Sequence, residues 1–295
     1  MRRADVTGVP VGSLVRELSH VLESQAIPEA AREAADIIAA LRDAPRFWAA
    51  AHHDAVLSET FAHEARAIAQ RRARGMPFAY AVGRAAFRHL TLLVDERVLI
   101  PRVETEELVQ AVLDNTQDKP GGLAIDLGTG SGAIALALAT EGRFARIIAT
   151  DASTGALEVA RANAARIAAK GKRLNVEFRS GAWLAPVRAE RARVIVSNPP
   201  YIAVDEAPAL PASVRDWEPS VALFSSDSGM RDIAIIIRGA PAVLEPGGLL
   251  ALEVDSRRAS LAAELALADG RYRDVSVRLD LTGRERILLA RRGRS

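Results

Sequence analysis

The fold is decided by the stretch Leu123-Ala124-Ile125-Asp126-Leu127-Gly128-Thr129-Gly130-Ser131-Gly132. A short apolar run ends in alternating glycines, and a helical pattern follows over residues 134–139. A strand that turns sharply into a helix is typical of α/β proteins, because glycines allow a tight turn and a close approach to a ligand. The spacing is neither the Gly-x-Gly-x-x-Gly of dinucleotide enzymes nor the Gly-Lys-Ser/Thr of a P-loop, which argues against a pyrophosphate site.

Short apolar runs alternate with helical patterns along the rest of the chain. Strands are predicted at residues 123–127, 146–151, 175–178, 194–197, 249–254, 275–279 and 286–290. A second helix is predicted over 156–169, and the last two strands are predicted to form an antiparallel pair. Such alternation predicts a doubly wound, mostly parallel, Rossmann-like sheet of seven strands with helices on both faces.

The first part of the chain has a different pattern, typical of helices. One helical face is predicted from Val11, Leu14, Val15, Leu18, Val21 and Leu22. Pro28 is predicted in the first turn of a second helix, and Ser58 as the cap of a third that ends before Gly75. Residues 1–86 are therefore predicted to form a small helical domain.

The pattern changes at Gly75-Met76-Pro77. Residues 87–100 consist of two extended runs around Asp95-Glu96, which predicts a hairpin that turns there, and a helix is expected over 104–113. We therefore predict a second domain, 87–295, made of a hairpin linker followed by the α/β sheet.

Composition excludes several classes of protein. The 295 residues are 49% apolar and 26% charged, as in an ordinary globular protein, and contain no cysteine. Disulfides, thiolate metal sites and a cysteine nucleophile are thereby excluded. No apolar run approaches the length of a membrane span, and the start MRRADVTGVP lacks the apolar core of a signal peptide, so a cytoplasmic protein without membrane attachment is predicted.

Charge and histidine content bear on partners and metals. The formal net charge of +2 does not require a nucleic-acid partner. His52, His53 and His63 lie in the helical part with no carboxylate spacing to support a metal site, so they are interpreted as exposed helix residues. No metal is predicted.

Asp151 is predicted to end the strand that follows the glycine stretch. An acidic residue at that position is placed to accept hydrogen bonds from ribose hydroxyls. The glycine stretch alone is a weak signal, since its simplest reading is a tight turn. Together with Asp151 it indicates a ligand that contains adenosine, and the loop favours S-adenosylmethionine over NAD.

The sequence Asn198-Pro199-Pro200-Tyr201 directly follows the fourth predicted strand. The two prolines have no backbone N–H to donate and restrict the loop. The Asn198 side-chain oxygen and the Pro199 carbonyl remain as acceptors, and Tyr201 adds a flat aromatic wall. Such a site suits a planar NH2 group, because two acceptors hold its hydrogens while the nitrogen faces an electrophile. By itself the sequence is also compatible with a proline-rich turn.

These two motifs resemble the class I S-adenosylmethionine-dependent methyltransferases that act on amide or exocyclic amino nitrogens. From residue 76 to residue 290 the chain resembles one family in particular, which modifies the glutamine of the Gly-Gly-Gln motif in peptide chain release factors. The further stretches that carry this resemblance are Pro77-Phe78-Ala79-Tyr80-Ala81-Val82-Gly83, Leu99-Ile100-Pro101-Arg102-Val103-Glu104-Thr105-Glu106, Trp217-Glu218-Pro219, Asp227-Ser228-Gly229-Met230 and Gly283-Arg284-Glu285-Arg286.

The resemblance implies a set of site residues. S-adenosylmethionine would be the cofactor and S-adenosylhomocysteine the product, with release factors as partners and a monomer as the expected state. The implied cofactor contacts are Gly128, Thr129, Gly130, Ser131, Gly132, Asp151, Trp183 and Asn198. The implied substrate contacts are Asn198, Pro199, Pro200 and Tyr201, of which Asn198, Pro199 and Tyr201 are the catalytic residues.

Two positions depart from the family pattern. Ala182 stands beside Trp183 where the family often has an acid that holds adenine. Glu253-Val254-Asp255 stands where a glycine usually follows the strand. The acids Glu104 and Glu106 suit a helix N-terminus, and the resemblance also places their segment beside the methionine end of the cofactor.

Three other functions compete with this interpretation. A methyltransferase of a ribosomal-protein glutamine is the nearest, and the stretch 101–106 favours the release-factor family over it. A nucleic-acid amino-methyltransferase would also use a planar NH2 group, but it predicts a basic stripe that a charge of +2 does not supply. A non-catalytic module that binds adenosine metabolites would not need Asn198-Pro199-Pro200-Tyr201.

Overall fold

The computed structural model describes residues 8–294. Residues 1–7 and 295 lie outside the described residues, and so does most of the segment from which the absence of a signal peptide was predicted. Close contacts divide the chain into two units. The helical unit runs to Arg84 and includes Ala212–Trp217, and the α/β unit comprises Ala85–Pro211 and the chain from Glu218 onward. Nothing in the sequence pattern assigned Ala212–Trp217 to the helical unit.

The helical unit contains short helices around one apolar core. Its elements before Arg84 are β1 Gly8–Pro10, α1 Val11–Glu23, α2 Ala30–Leu41, α3 Trp48–Ala51, β2 Val56–Ser58, α4 Glu59–Ala73 and α5 Phe78–Val82. The predicted cap of α4 is confirmed, since Ser58 Oγ accepts the N–H of Phe61 at 3.2 Å. The predicted start of the second helix is wrong, because Glu29 adopts a φ of 53° and α2 begins after it, beyond Pro28.

The elements of the α/β unit follow in chain order, together with the short helix α9, which belongs to the helical unit. They are β3 Arg84–Phe87, β4 Leu90–Leu93, α6 Val103–Asp114, β5 Leu123–Leu127, α7 Ala133–Glu141, β6 Arg146–Asp151, α8 Thr154–Ala169, β7 Val176–Ser180, β8 Ala192–Ser197, α9 Ala212–Arg215, α10 Ser220–Leu223, α11 Arg231–Val243, β9 Leu244–Glu253, α12 Ala259–Asp269, β10 Tyr272–Leu279 and β11 Glu285–Arg292.

The hairpin before the sheet differs from its prediction. Strands β3 and β4 form a two-stranded sheet that turns at Arg88 and His89, so the predicted hairpin with its turn at Asp95-Glu96 is wrong. Arg88 has a φ of 51°, and its guanidinium is held by Glu141 at 2.7 Å. Asp95 instead closes a local turn, in which its carbonyl accepts the N–H of Val98 at 3.1 Å and its carboxylate binds Arg97 at 2.6 Å.

The seven-stranded sheet predicted from the alternating pattern is confirmed. Its strand order is β10-β11-β9-β8-β5-β6-β7, and β11 runs antiparallel to both of its neighbours. From β5 the chain runs outward to β6 and β7 on one side, and it then crosses back to β8 on the other side of β5. Ligands of open α/β sheets bind at such a switch point, outside the carboxyl ends of the strands.

Alternate residues of each strand pack on opposite faces of the sheet. Leu123, Ile125 and Leu127 join a buried cluster with α11 and α12. Ala124 joins the cluster on the other face, which includes residues of α6 and α7. Burial on both faces explains why β5 is apolar throughout except at Asp126.

The sequence analysis missed the helices α11 and α12. Pro241 lies in the last turn of α11, where a proline normally signals a break. In α12 the apolar residues lie all around the helix, and Leu261 and Leu267 are exposed, so the sequence shows little one-sided periodicity.

Candidate active site

A cavity of about 340 Å³ opens at the carboxyl ends of the parallel strands. All the residues that line it belong to the α/β unit. The predicted residues along its wall are Gly128, Thr129, Gly130, Ser131, Asp151, Trp183, Asn198 and Pro200. Among the described residues, the lining does not include Gly132, Pro199 or Tyr201, which were predicted beside them. The two motifs quoted from the sequence therefore meet at one cavity.

The glycine loop owes its shape to left-handed backbone angles. Gly128 has a φ of 70° and Gly130 a φ of 54°, values that residues with side chains seldom adopt. A Cβ on Gly128 would lie 3.4 Å from the Trp183 ring, across the cavity wall. Gly132 has another task, because a Cβ there would press on Leu136 at 3.0 Å and on Ala160. The first two glycines supply the left-handed backbone of the turn, and the third lets the start of helix α7 pack against Ala160 of α8.

Asp126 anchors this loop from within the protein. Its Oδ2 accepts hydrogen bonds from Thr129 Oγ1 at 2.6 Å and from the N–H of Ala135 at 3.1 Å. The side chain is fully buried, and burial raises the pKa of its carboxyl to about 7. Within residues 8–294, Asp126 Oδ1 accepts no hydrogen bond.

Asp151 ends β6 and faces the loop. Its Oδ2 accepts the N–H of Gly130 at 2.9 Å, and its Oδ1 accepts the N–H of Ser153 at 2.8 Å. Burial raises the pKa of this carboxyl, and the backbone hydrogen bonds oppose that rise. Asp151 thus lines the cavity and also fixes the turn that surrounds it.

Trp183 forms another part of the wall, in a left-handed conformation with a φ of 46°. Its Nε1–H donates to Asp232 Oδ1 at 3.1 Å. Asp232 is held in turn by Ser225, whose Oγ donates to Asp232 Oδ2 at 2.6 Å. Ala182 lies on the same wall, so a carboxylate does reach this region, but it comes from helix α11 rather than from the position beside the tryptophan.

Asn198 is placed by the sheet. Ser197, the last residue of β8, pairs in parallel with Leu252 of β9, so the next residues, Asn198 and Glu253, leave the sheet side by side. Tyr201 packs against the core cluster beneath α11 and α12, and its hydroxyl lies 3.5 Å from Glu253 Oε1. Burial raises the pKa of that phenol, which therefore stays neutral.

Thr105 connects Asn198 to Glu253. Asn198 Nδ2 donates to Thr105 Oγ1 at 3.1 Å, and Thr105 Oγ1 donates to Glu253 Oε2 at 2.6 Å. Thr105 lies in the first turn of α6 and lines the cavity. Burial raises the pKa of the Glu253 carboxyl to about 7. Asp255 is the other acid of the stretch Glu253-Val254-Asp255, which departs from the family pattern. Its carboxylate pairs with Arg258 at 2.7 Å.

Two segments that carried the family resemblance are joined at the mouth of the cavity. Arg102 forms an ion pair with the buried Glu218. The other oxygen of Glu218 accepts the N–H of Ile100 at 3.2 Å. Pro101 and Pro219, which flank these contacts in the sequence, both line the cavity. Their spacing in the sequence gave no sign that they pair.

Sequence reasoning assigned no site role to four residues that shape the site: Asn163, Asp232, Glu218 and Glu253, of which Glu218 stands in a stretch quoted for the family resemblance and Glu253 in one quoted as a departure from it. Asn163 is buried in α8, where its Nδ2 donates to the carbonyls of Ser131 at 2.9 Å and Leu93 at 3.0 Å. Each of the four acts across a long sequence distance. For Asn163 and Asp232, an isolated polar residue in a helix was the only available signal.

Comparisons with known proteins address the family. A model described as PrmC N-terminal domain matches residues 13–83, and one described as methyltransferase small domain matches residues 105–210. The chain is 42% identical over 271 residues to the release factor glutamine methyltransferase of Cereibacter sphaeroides, which covers 92% of this chain and 94% of that protein. It is 40% identical over 249 residues to the protein of the same name from Xylella fastidiosa, covering 84% and 88% of the two chains.

The chain belongs to the release factor glutamine methyltransferase family. This family membership confirms the resemblance drawn from the motifs. A solved methyltransferase from Pyrococcus furiosus shares the fold, with a TM-score of 0.54 at 18% identity over 76% of this chain and 99% of that one. Thr105, the glycine loop, Asp151 and Asn198 all fall inside the methyltransferase small domain match, whereas Glu253 lies beyond its end.

No helix between residues 8 and 294 has the length and apolar character needed to cross a membrane. Within the same residues, histidine, aspartate and glutamate side chains form no group of three or more that could hold a metal ion.

Proposed function

We propose that this protein transfers the methyl group of S-adenosylmethionine to the side-chain amide nitrogen of the glutamine in the Gly-Gly-Gln motif of a peptide chain release factor. The observation that carries the proposal is the position of Asn198, on the wall of a cavity whose other walls are the glycine loop and Asp151. The names of the relatives at 40% and 42% identity support the substrate.

The cavity fits the proposed cofactor. Gly128 leaves open the space beside Trp183 that a Cβ would narrow, and Asp151 offers carboxylate oxygens to ribose hydroxyls. Asp232, on the Trp183 wall, offers the adenine end an acceptor that Ala182 does not supply. When bound, the cofactor supplies an electrophilic methyl group. We assign the adenosine part to Gly128–Ser131, Asp151 and Trp183.

The substrate amide would lie between the cofactor and Asn198. A glutamine nitrogen is a poor nucleophile, because its lone pair is delocalised into the carbonyl group. Asn198 Oδ1 and the carbonyl oxygen of Pro199, whose neighbours Asn198 and Pro200 both line the cavity, accept its two hydrogens and aim the nitrogen. As that nitrogen gains positive charge in the transition state, these acceptors bind it more strongly than in the ground state.

Positioning is the main contribution of the protein. Aligned reactants can gain roughly 7–11 kcal/mol from orientation alone. The cavity wall includes the half-buried apolar residues Leu99 and Pro101, which reduce the access of water to the reacting atoms. No general base is needed before the transfer, since the methylated amide can lose its proton afterwards. Tyr201 supports this arrangement through Glu253 and the core, and stays neutral.

A methyl-transfer assay tests the proposal. Purified wild-type protein is incubated with methyl-labelled S-adenosylmethionine and a purified release factor, and label in the factor is counted. A release factor whose Gly-Gly-Gln glutamine is changed to asparagine is the matched control, because it keeps an amide but moves it by one methylene. Label in the first and none in the second is expected. Label in ribosomal protein or RNA but not in the release factor would contradict the proposal.

The helical unit is proposed to recognise the release factor. All the residues that line the cavity belong to the α/β unit, and the PrmC N-terminal domain model matches residues 13–83 of the helical one. A fragment that begins at Arg84, where β3 starts, should therefore bind S-adenosylhomocysteine as the whole chain does but methylate a whole release factor poorly. A short Gly-Gly-Gln peptide is the control substrate, on which both should act equally. Full activity of the fragment on the whole factor would refute the recognition role.

A further inference from the structure

A chain of three hydrogen-bonded side chains ends at Asn198. Glu253 Oε2 lies 2.6 Å from Thr105 Oγ1, and that hydroxyl lies 3.1 Å from Asn198 Nδ2. Thr105 is 4% exposed and Glu253 1%. Thr105 is separated in sequence from Asn198 by 93 residues and from Glu253 by 148. The contact therefore exists only in the folded sheet.

The sheet and α6 hold these three groups from independent directions. The parallel pairing of Ser197 with Leu252 places Asn198 and Glu253 at the ends of adjacent strands. Glu253 is also fixed from its other side, because it pairs with Ile287 of β11. Thr105 reaches them from the first turn of α6. Such a framework leaves the three side chains little freedom to rearrange.

The donors and acceptors in this chain determine its direction. A threonine hydroxyl has one hydrogen to donate, and Thr105 Oγ1 donates it to Glu253 Oε2 at 2.6 Å. The short contact with Glu253 therefore takes the Thr105 hydrogen, and Thr105 Oγ1 is left with lone pairs toward Asn198. Only the NH2 end of the Asn198 amide can satisfy them. The opposite orientation would bring two oxygens together without a hydrogen between them.

We propose that Thr105 and Glu253 are positioning residues that fix the side-chain amide of Asn198 with its nitrogen toward Thr105 and its oxygen toward the substrate. This inference rests on the proposed function, because it assigns Asn198 Oδ1 to accept a hydrogen of the target amide. An amide in the opposite orientation would present a second donor to that NH2 group. Thr105 and Glu253 thus determine which chemical group the site accepts.

A matched pair of variants tests the role of the Thr105 hydroxyl. Thr105→Val keeps the shape but removes the hydrogen-bonding oxygen, whereas Thr105→Ser keeps the oxygen. At saturating cofactor and release factor, Thr105→Val should lower the single-turnover rate by about tenfold or more, the effect of one lost hydrogen bond, and Thr105→Ser should stay within about twofold of wild type. Equal rates for the two variants would overturn the proposal, whatever their thermal stability.

A second test reverses the direction of the hydrogen bonds. Asn198→Asp alone should be strongly impaired, because its carboxylate meets the lone pairs of Thr105. In the double variant Asn198→Asp with Glu253→Gln, the glutamine NH2 can donate to Thr105, and Thr105 can donate to the new aspartate. The double variant should recover at least tenfold in single-turnover rate over Asn198→Asp. A double variant no faster than Asn198→Asp would overturn the proposed direction.

A measurement independent of activity separates this inference from the proposed function. The chain has four asparagines, so the side-chain NH2 signals of Asn198 can be assigned by NMR from their loss in Asn198→Asp. These protons should exchange slowly with water in wild type and Thr105→Ser, and at least tenfold faster in Thr105→Val. Unchanged exchange in Thr105→Val would overturn the inference. If the wild-type chain labels no release factor, the proposed function fails, and the exchange comparison still decides the direction of the hydrogen bonds.

Discussion

The two sides of the cavity are constructed differently. On one side, the loop Gly128–Ser131 and Asp151 are joined by backbone N–H groups and a few neighbouring side chains. On the other side, Asn198 is held by side chains of two distant segments, directly by Thr105 and through it by Glu253. The first side is formed by consecutive residues of two strand ends, and the second exists only once α6, β8 and β9 have assembled.

Because they are built differently, we expect the two sides to contribute differently to ligand binding and to the reaction. A cradle of backbone groups accommodates a ligand by shape and tolerates side-chain changes nearby, provided that its glycines remain. A chain of side chains fixes the direction of a single amide and fails if one link is removed. We therefore expect changes on the first side to weaken binding and changes on the second to slow the reaction.

The largest expected effect is that of Asn198→Ala. This change removes one acceptor with little loss of volume, and the rate of methyl transfer should fall by about 100-fold or more, as when one preorganised polar group is removed from an active site. Affinity for S-adenosylhomocysteine should fall much less. The measurements are single-turnover transfer to saturating release factor and, separately, calorimetric binding of the cofactor product.

The matched control for that variant is Asn175→Ala. Asn175 directly precedes β7, at the amino end of the sheet and away from the cavity, so the transfer rate should not change. If Asn198→Ala instead lost only affinity for the cofactor and kept its rate at saturation, Asn198 would belong to the binding side, and the comparison between the two sides would break down.

A smaller effect is expected from Asp151→Ala, on the other side. If Asp151 binds the ribose hydroxyls, the change removes a charge-assisted hydrogen bond of about 1.5–3 kcal/mol, so S-adenosylhomocysteine should bind at least tenfold more weakly. The transfer rate at saturating cofactor should change less than the affinity does. Calorimetry on both proteins is the measurement.

Asp151→Ala also removes the acceptor of two backbone N–H groups in the loop. Asp151→Asn is the variant that separates this effect, because its amide keeps an acceptor of the same size without the charge. Asp118→Ala, at an exposed aspartate after α6, is the control for loss of charge alone. Unchanged affinity in a folded Asp151→Ala protein would remove Asp151 from the cofactor site.

The same contrast explains what could be predicted from sequence. The glycine loop, the seven strands and the Asn198-Pro199-Pro200-Tyr201 turn are each encoded within a few consecutive residues, so pattern and motif located them. Glu253, Asp232 and Asn163 act through partners far along the chain, and no local pattern distinguishes them from other polar residues. Their pairing depends on strand order and register, which a single sequence does not encode locally.

The hairpin error has a related cause. Asp95-Glu96 looks like a turn between two extended runs, and a turn does form there, but it connects β4 to the following loop rather than to a second strand. The strand that pairs with β4 lies before Arg88, whose left-handed backbone donates its N–H to Glu106 and whose guanidinium is held by the distant Glu141. The local sequence therefore predicted the turn at Asp95-Glu96 correctly, but it did not indicate which strands pair.

The smallest expected effect concerns stability and pH. Burial raises the pKa of the Asp126 carboxyl from 3.8 to about 7, so between these values the folded chain holds a proton that the unfolded chain has lost. The contribution of Asp126 to the free energy of unfolding should therefore fall as pH rises from about 4 to about 7. Asp126→Asn does not titrate. Between pH 5 and pH 8, wild type should lose at least about 1 kcal/mol more stability than this variant, since each unit of pKa shift corresponds to about 1.4 kcal/mol.

Urea unfolding at the two pH values measures this difference without cofactor present. Asp151 and Glu253 also have pKa values raised by burial and contribute slopes of the same sign, but both are present in wild type and variant, so the comparison isolates Asp126. In Asp126→Asn, the amide oxygen can still accept the hydrogen bonds of Thr129 and Ala135. Any remaining difference in stability between the two proteins is the same at both pH values, so it cancels when their pH slopes are compared. Equal pH slopes would show that Asp126 is ionised in the folded chain, and that the loop is anchored by a charge rather than by a neutral acid.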